Sequence, residues 1–365
     1  MKTGFNHSLF IDSSHKVWSC GNNHNGRLGL PTAGVQVPTE VPLLPPIIDI
    51  SAGVHSLFLD ESGAPWGCGD NQDGALGLGT VKKDVFAPDM IFIPTKIRAI
   101  SAGNFHSLFL DETGVVWGCG VNKSGELGFP DRENRHQPEK INLIKTIVEI
   151  GAGAHSSFRD NKGRIWCCGQ NNRGQLGLGD KNLKDQVVPK KVKNLPKIKA
   201  MSISGHCLYI DKKGCVWSCG SNAKGQLGLG DCVDRFSPEK VKSLSLIQAV
   251  SAGYGHSIFL GADGSVQVCG NNQYGQLGTG NNDFRKFETT ILQLEYLPPI
   301  TAICAERARH SLLCDYEGVV WCAGCNVYGQ LGLDTREESK LFVKITSLPP
   351  VAIGYQKPTK SARST

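Results

Sequence analysis

The sequence predicts an all-β, seven-bladed β-propeller with four antiparallel strands per blade. A C-terminal strand joining the N-terminal blade is expected to close the ring. Three observations carry this expectation. A His-Ser-Leu-like strand start recurs at His7, His55, His106, His155, His206, His256 and His310. Each is followed fourteen residues later by a Gly-x-Asn-x-x-Gly-x-Leu-Gly segment, opening at Gly21, Gly69, Gly120, Gly169, Gly220, Gly270 and Gly324. The copies succeed one another at intervals of 48 to 54 residues, a period that marks one copied supersecondary unit of propeller-blade size. Finally, the two ends look complementary. The chain opens inside a repeat, at Lys2-Thr3-Gly4-Phe5-Asn6-His7, without that repeat's first strand. Leu348-Pro349-Pro350-Val351-Ala352-Ile353 near the far end matches Leu44-Pro45-Pro46-Ile47-Ile48-Asp49. Closing the ring this way would remove open sheet edges, which invite aggregation.

The second copy shows how one unit divides. Ile47-Ile48-Asp49-Ile50 reads as a short apolar strand, turned by Ser51-Ala52-Gly53. His55 to Leu59 is the second strand, ended by the polar, glycine-containing turn Asp60-Glu61-Ser62-Gly63. Ala64 to Cys68 is the third. The segment from Gly69 to Leu78 is a loop, and a fourth strand is expected between Pro88 and Pro94. Residues 1–355 are thus read as a single propeller, and 356–365, which lack an apolar pattern, as a disordered tail.

Most repeated side chains read as frame. Cys20, Cys68, Cys119, Cys168, Cys219 and Cys269 precede the loop's first glycine, and Ala323 takes that place in the seventh copy. A position that accepts Cys or Ala is small, buried and apolar. Equivalent positions on separate blades point the same way, so disulfides are not expected, and cysteine richness without them implies a reducing compartment. Six copies carry Trp two residues before the small residue; the sixth has Gln267. These tryptophans are read as packing. The histidines are read as structural, bonding the backbone of their own turns. The loop Asn should bond the backbone through its side chain, and the loop Gly should permit positive φ.

The whole chain holds 365 residues, 40% of them hydrophobic, with a net charge of +6. That charge tilts mildly toward acidic partners. No signal-length apolar run follows Met1-Lys2, no 18-residue apolar stretch occurs, and the last cysteine is Cys325. The expectation is a soluble, cytoplasmic monomer, with the nucleus as the alternative compartment and no membrane insertion.

The stretches Ser101-Ala102-Gly103-Asn104-Phe105-His106-Ser107 and Gly169-Gln170-Asn171-Asn172-Arg173-Gly174-Gln175-Leu176-Gly177-Leu178-Gly179 resemble the regulator of chromosome condensation repeat family. The resemblance covers all seven copies. It implies the propeller fold and several unrelated functions: nucleotide exchange on the small GTPase Ran, ultraviolet photoreception, ubiquitin-ligase domains and adaptors. A shared fold does not transfer activity.

Each implied function can be tested against residues. In an antiparallel blade the first-to-second turns and third-to-fourth loops share one face of the disc. The resemblance implies that exchange on Ran uses acidic side chains in the turns between Gly and His. Here those turns carry Phe5-Asn6, Val54, Asn104-Phe105, Ala154, Gly205, Tyr254-Gly255 and Arg307-Ala308-Arg309; Glu306 is the one nearby acid. Photoreception would need tryptophans clustered on a contact face rather than in the packing position. Chromatin association would lean on a basic N-terminal tail, and the chain begins directly at the blade. Lysines crowd between Lys181 and Lys199, and Pro189-Lys190-Lys191-Val192-Lys193 looks like an import signal, but reads better as a solvated outer strand. Nucleic acid is therefore an unfavoured partner, since +6 spread over seven blades is not a broad basic field.

No catalytic residue, cofactor or metal is expected. A zinc site needs ligand nitrogens about 2.1 Å from one ion, whereas faces of neighbouring sheets pack about 10 Å apart. Cys322-x-x-Cys325 has no second pair, and no Gly-x-Ser-x-Gly element, phosphate loop or Ser-His-Asp grouping occurs.

Recognition is expected where the copies differ. Tyr254, Tyr274 and Tyr328 lie in turns of the sixth and seventh copies, with Arg307 and Arg309 between them and Phe5 one blade on. Tyr and Arg are enriched at binding hot spots. The expectation is a non-catalytic protein-interaction platform, with a small GTPase or a signalling or ubiquitin-pathway protein as candidate partner. A guanine-nucleotide exchange factor for a Ran-like GTPase is the first alternative and a chromatin- or nucleic-acid-associated protein the second.

Overall fold

The computed structural model describes residues 1–79, 83–143, 145–179, 183–280 and 287–352. They form seven four-stranded antiparallel sheets, each built from consecutive strands in sequence order. The third blade is typical: Ile97–Ala102 innermost, then His106–Asp111, Val116–Gly120, and Arg135–Lys140 at the rim. The repeat's two landmarks are cross-strand partners, as in His106 opposite Gly120 and His206 opposite Gly220.

Apolar side chains from adjacent blades interlock to make the core. Leu9 and Val17 of the first blade pack with Ile47, Phe58 and Cys68 of the second. At the closing seam Phe10 and Cys20 pack with Leu312, Cys322 and Leu331 of the seventh. The repeated cysteines and Ala323 are fully buried, as expected. Each thiol also points at a backbone carbonyl of the preceding blade, as in Cys119 Sγ to Ala75 O at 3.3 Å.

Two expectations need correction. The first blade does not lack its own inner strand, because Lys2–Thr3 pairs with Leu9 and Ser8. The C-terminal segment supplies only the other half: Val351 bridges Asp12, as Ile47 pairs with Asp60 one blade on, and the Ala352 N–H reaches Ile11 O. The ring is thus closed by one inner strand assembled from both chain ends. The fourth strand of the second blade spans Asp84–Met90, earlier than expected, with Pro88 inside it. Proline is tolerated there because the rim strand is an edge. Its ring also fills a repeated socket. Gly77 has φ +67°, and a Cβ there would come within 2.9 Å of the Pro138 ring of the next blade, so the Leu-Gly step and the rim proline lock neighbouring blades together. Gln186–Lys191 is a rim strand, as expected for the lysine-rich stretch. The tail proposed for 356–365 lies outside the described residues.

Candidate functional site

The histidines hold the site's platform, and not by bonding their own turns. Each Nε2 reaches the next blade: His7 to Ser56 at 2.9 Å, His55 to Ser107 at 2.7 Å, His106 to Ser156 at 2.9 Å. His206 reaches Ser257 at 2.8 Å, His256 reaches Ser311 at 2.9 Å, and His310 closes the circle on Ser8 at 2.8 Å. Cys207 stands in for serine opposite His155, at 3.1 Å. Each serine hydroxyl gives its one proton to a carbonyl of the blade preceding its own, as in Ser107 to Ala75 O at 2.6 Å. It can therefore only accept from the imidazole, which fixes the neutral Nε2–H form. Burial pushes His55, His106, His206, His256 and His310 down to about 3. The loop asparagines behave as expected: Asn71 Oδ1 accepts from Leu76 N, and Asn326 Oδ1 from Leu331 N.

A second repeated pair was not foreseen. The tryptophan indole N–H donates to an aspartate ending the second strand: Trp18 to Asp12 at 2.8 Å, Trp66 to Asp60 at 2.9 Å, Trp321 to Asp315 at 2.9 Å. The other oxygen of the same carboxylate caps the turn, accepting from Ser62 N and Ala64 N in the second blade. Burial alone would raise the Asp60 carboxyl, but the donors from Ser62, Trp66 and Ala64 outweigh it and hold it below the usual range. The sixth blade loses both members together, having Gly261 and Gln267. The tryptophans are thus engaged within their own blades.

On this frame four of the six expected residues draw together. The Phe5 and Tyr254 rings meet edge to face, with centroids 5.8 Å apart. The Arg309 guanidinium lies over Tyr254 at 5.0 Å and Tyr274 at 5.7 Å, a cation held against two aromatic faces. Tyr254 is 47% exposed, so the cluster is open to solvent. The backbone joins the two turns, Tyr254 N donating to Ala308 O at 2.8 Å. Tyr328 is 44% exposed and, among the described residues, makes no ring contact with the cluster.

Arg307 is the correction. It is 4% exposed and belongs to the axis rather than the outer face. The longer seventh turn takes φ +59° at this residue and folds inward. The Arg307 guanidinium donates to the carbonyls of Ala152 and of Ala52, the latter at 3.0 Å, and its backbone N–H reaches Ala252 O at 3.3 Å. One residue thus ties inner strands of the second, fourth and sixth blades. Glu306 sits 3.4 Å from both Arg307 and Lys2, and their positive charge outweighs its burial to hold its carboxyl low. Arg307 also floors a hollow of about 340 Å³ on the loop face, walled by Phe5, Tyr254, Asn104 and Gly205. Phe105, 49% exposed in the third blade's turn, was passed over as a candidate. Its signal was an aromatic residue in the same Gly-to-His turn that carries Phe5 and Tyr254 in other copies. Among the described residues, no three His, Cys, Asp or Glu side chains converge in a way that could hold a metal, and no helix is long and apolar enough to cross a membrane.

Comparison with known proteins places this geometry. The family model described as the regulator of chromosome condensation (RCC1) repeat matches residues 14–59, 62–110, 113–158, 162–208 and 213–260. A second model of the same description matches 97–126 and 247–276. The ultraviolet-B receptor UVR8 of Arabidopsis thaliana is 30% identical over 273 residues, covering 73% of this chain and 62% of that protein. The probable E3 ubiquitin-protein ligase HERC4 of Mus musculus is 34% identical over 278 residues, 73% of this chain but 26% of its own length. The chain therefore spans less than two thirds of the first relative and about a quarter of the second. Among solved structures, Prp20p of Saccharomyces cerevisiae, described with its binding properties to Gsp1p and histones, superposes with a TM-score of 0.82 at 24% identity over 92% of this chain and 87% of its own. Human WBSCR16 gives 0.81 at 21% identity over 91% and 94%. These two likenesses concern the fold.

Proposed function

The chain belongs to the regulator of chromosome condensation repeat family, and from that premise we propose that it is a non-catalytic platform that binds a protein partner through the loop face of its sixth, seventh and first blades. The observation that carries the reading is the cluster of Arg309 against Tyr254 and Tyr274 with Phe5 beside it. Such a group buries large area at low entropic cost, and keeps a cation available for a partner's carboxylate. The frame beneath is rigid, because the His–Ser bonds and Arg307 fix the turns from below. The chemistry suits an acidic or mixed protein surface, a small GTPase or a ubiquitin-pathway protein among them.

Exchange on a Ran-like GTPase is the competing function. The turns between Gly and His offer no aspartate, and Glu306 beside them is engaged by Lys2 and Arg307, so among the described residues these turns hold no acidic group free to disturb bound phosphate and magnesium. Release of fluorescent GDP from a panel of small GTPases separates the two readings. The platform reading expects no acceleration by catalytic amounts of the protein, and acceleration would replace it with the exchange factor. The binding sector is tested by affinity capture of partners with Tyr274→Ala, Arg309→Glu and Tyr328→Ala. Loss of partners in these variants and retention in Lys191→Glu is expected; the reverse pattern would refute the sector.

A further inference from the structure

The opposite face carries a charge pattern that the loop-face site does not use. Residues 140–246, which include the fourth and fifth blades, hold 19 Lys and Arg against 8 Asp and Glu, a net +11. The whole chain totals +6, so the remainder carries −5. Positive charge is therefore concentrated in one sector rather than spread over the ring.

Within that sector the lysines gather on the turns between second and third strands and on the links between blades. Lys162 and the pair Lys212-Lys213 occupy those turns, where other blades place Glu61, Glu112, Asp263 and Glu317. Lys145 and Lys197 come from the links. The backbone makes them neighbours: Lys212 N donates to Lys197 O at 3.2 Å, and Asn161 N to Thr146 O at 3.1 Å. All five are exposed, and among the described residues none is ion-paired. The arginines of the same blades are neutralised instead, Arg164 by Asp160 at 2.7 Å, Arg159 by Glu149 at 2.5 Å, Arg235 by Asp231 at 2.6 Å. Rim lysines such as Lys140, Lys191 and Lys240 recur at one edge position opposite tryptophan and are accounted for as edge protection. The turn lysines have no edge to protect.

We propose that this face of the fourth and fifth blades is a second docking surface, which takes an acidic polypeptide segment with apolar side chains interspersed. The apolar component follows from Leu246, 69% exposed and packed by its backbone beside Gly214, the residue after Lys213. A phosphodiester strand would favour free arginine forks and exposed aromatic rings for stacking. The arginines here are paired, and the turns carry no aromatic residue. The surface is independent of the loop-face sector, which lies on the other side of the disc.

The test titrates the full chain with a fluorescent peptide of alternating acidic and leucine residues. Single-stranded DNA and phosphatidylserine vesicles are titrated in parallel, all in about 0.1 M salt, where the Debye length is about 10 Å. Peptide binding is expected to weaken by about tenfold or more in the Lys162→Glu, Lys197→Glu, Lys212→Glu, Lys213→Glu variant, with an unchanged melting temperature. A smaller loss is expected for Leu246→Ser and none for Arg309→Glu. Should the reversal variant fail to fold, the same four positions changed to Gln carry the measurement. Undiminished binding by the variant, no peptide binding at all, or tighter binding of DNA or vesicles than of peptide would overturn the proposal.

Discussion

The turns of the fourth and fifth blades and those of the sixth, seventh and first stand on the same ring of histidines and differ in what they project. Ala154 and Gly205 leave bare backbone at two positions. Tyr254, Arg309 and Phe5 make an exposed aromatic–cation cluster at three others. The frame beneath both is alike, His155 and His206 each reaching the next blade as His256 and His310 do. The same backbone solution thus tolerates very different surfaces, so stability and recognition should separate by residue class: frame substitutions should unfold the protein, and sector substitutions should not.

The strongest blow to the frame is acid. Five imidazoles are held neutral down to about 3, while unfolded histidine takes up a proton near 6.5. The unfolded chain therefore binds more protons as pH falls below about 6.5, and each such group costs about 1.4 kcal/mol of stability per further pH unit until its folded pKa is reached. Cooperative unfolding is expected between about pH 6 and 4.5, followed by circular dichroism. The Asp60, Asp111, Asp160 and Asp211 carboxyls, held low, add their own loss only further down, as pH falls through their folded pKa. A chain still folded at pH 4 would show that the histidine ring is not buried as described.

Next comes Arg307→Ala, which strands inner-strand carbonyls and leaves Glu306 with Lys2 alone. About 3 kcal/mol should be lost in urea unfolding, the range for removing one partner of a buried charged network. A loss under about 0.5 kcal/mol, the scale of surface substitutions, would return Arg307 to the exposed sector. His55→Ala removes one link of the ring and should cost about 2 kcal/mol. The sixth blade offers a gain rather than a loss. Gly261→Asp with Gln267→Trp restores the missing pair, and the double variant should exceed the sum of the singles by about 0.5–1 kcal/mol. Additivity would mean that the Asp–Trp bond contributes nothing of its own. The smallest effect expected on stability is that of Arg309→Glu, within about 0.5 kcal/mol of zero.

The blades, the buried cysteine position, the asparagine-capped loops and the Phe5, Tyr254, Tyr274 and Arg309 neighbourhood were legible because each follows from a fixed period or from adjacency along the ring. The His–Ser bond was not. Its partner lies 49 to 55 residues away in six of its links, about one whole period, so both ends look like ordinary members of their own copies. The Asp–Trp pair was hidden because each residue had a sufficient separate explanation, one as turn, one as packing; their joint loss at Gly261 and Gln267 was the available signal. Arg307 reads like Arg309 two residues on, and only the backbone's inward fold tells them apart. Net charge concealed the basic sector because the two signs were summed over the ring before being placed on it.

The most direct measurement of the central claim pairs thermal melting with partner capture for the Tyr274→Ala, Arg309→Glu, Tyr328→Ala triple variant and for His55→Ala. The account predicts a native melting temperature with lost partners for the triple variant, and for His55→Ala a lowered melting temperature with partners retained while it is folded. A triple variant that keeps its partners, or that loses them only because it has unfolded, would contradict it.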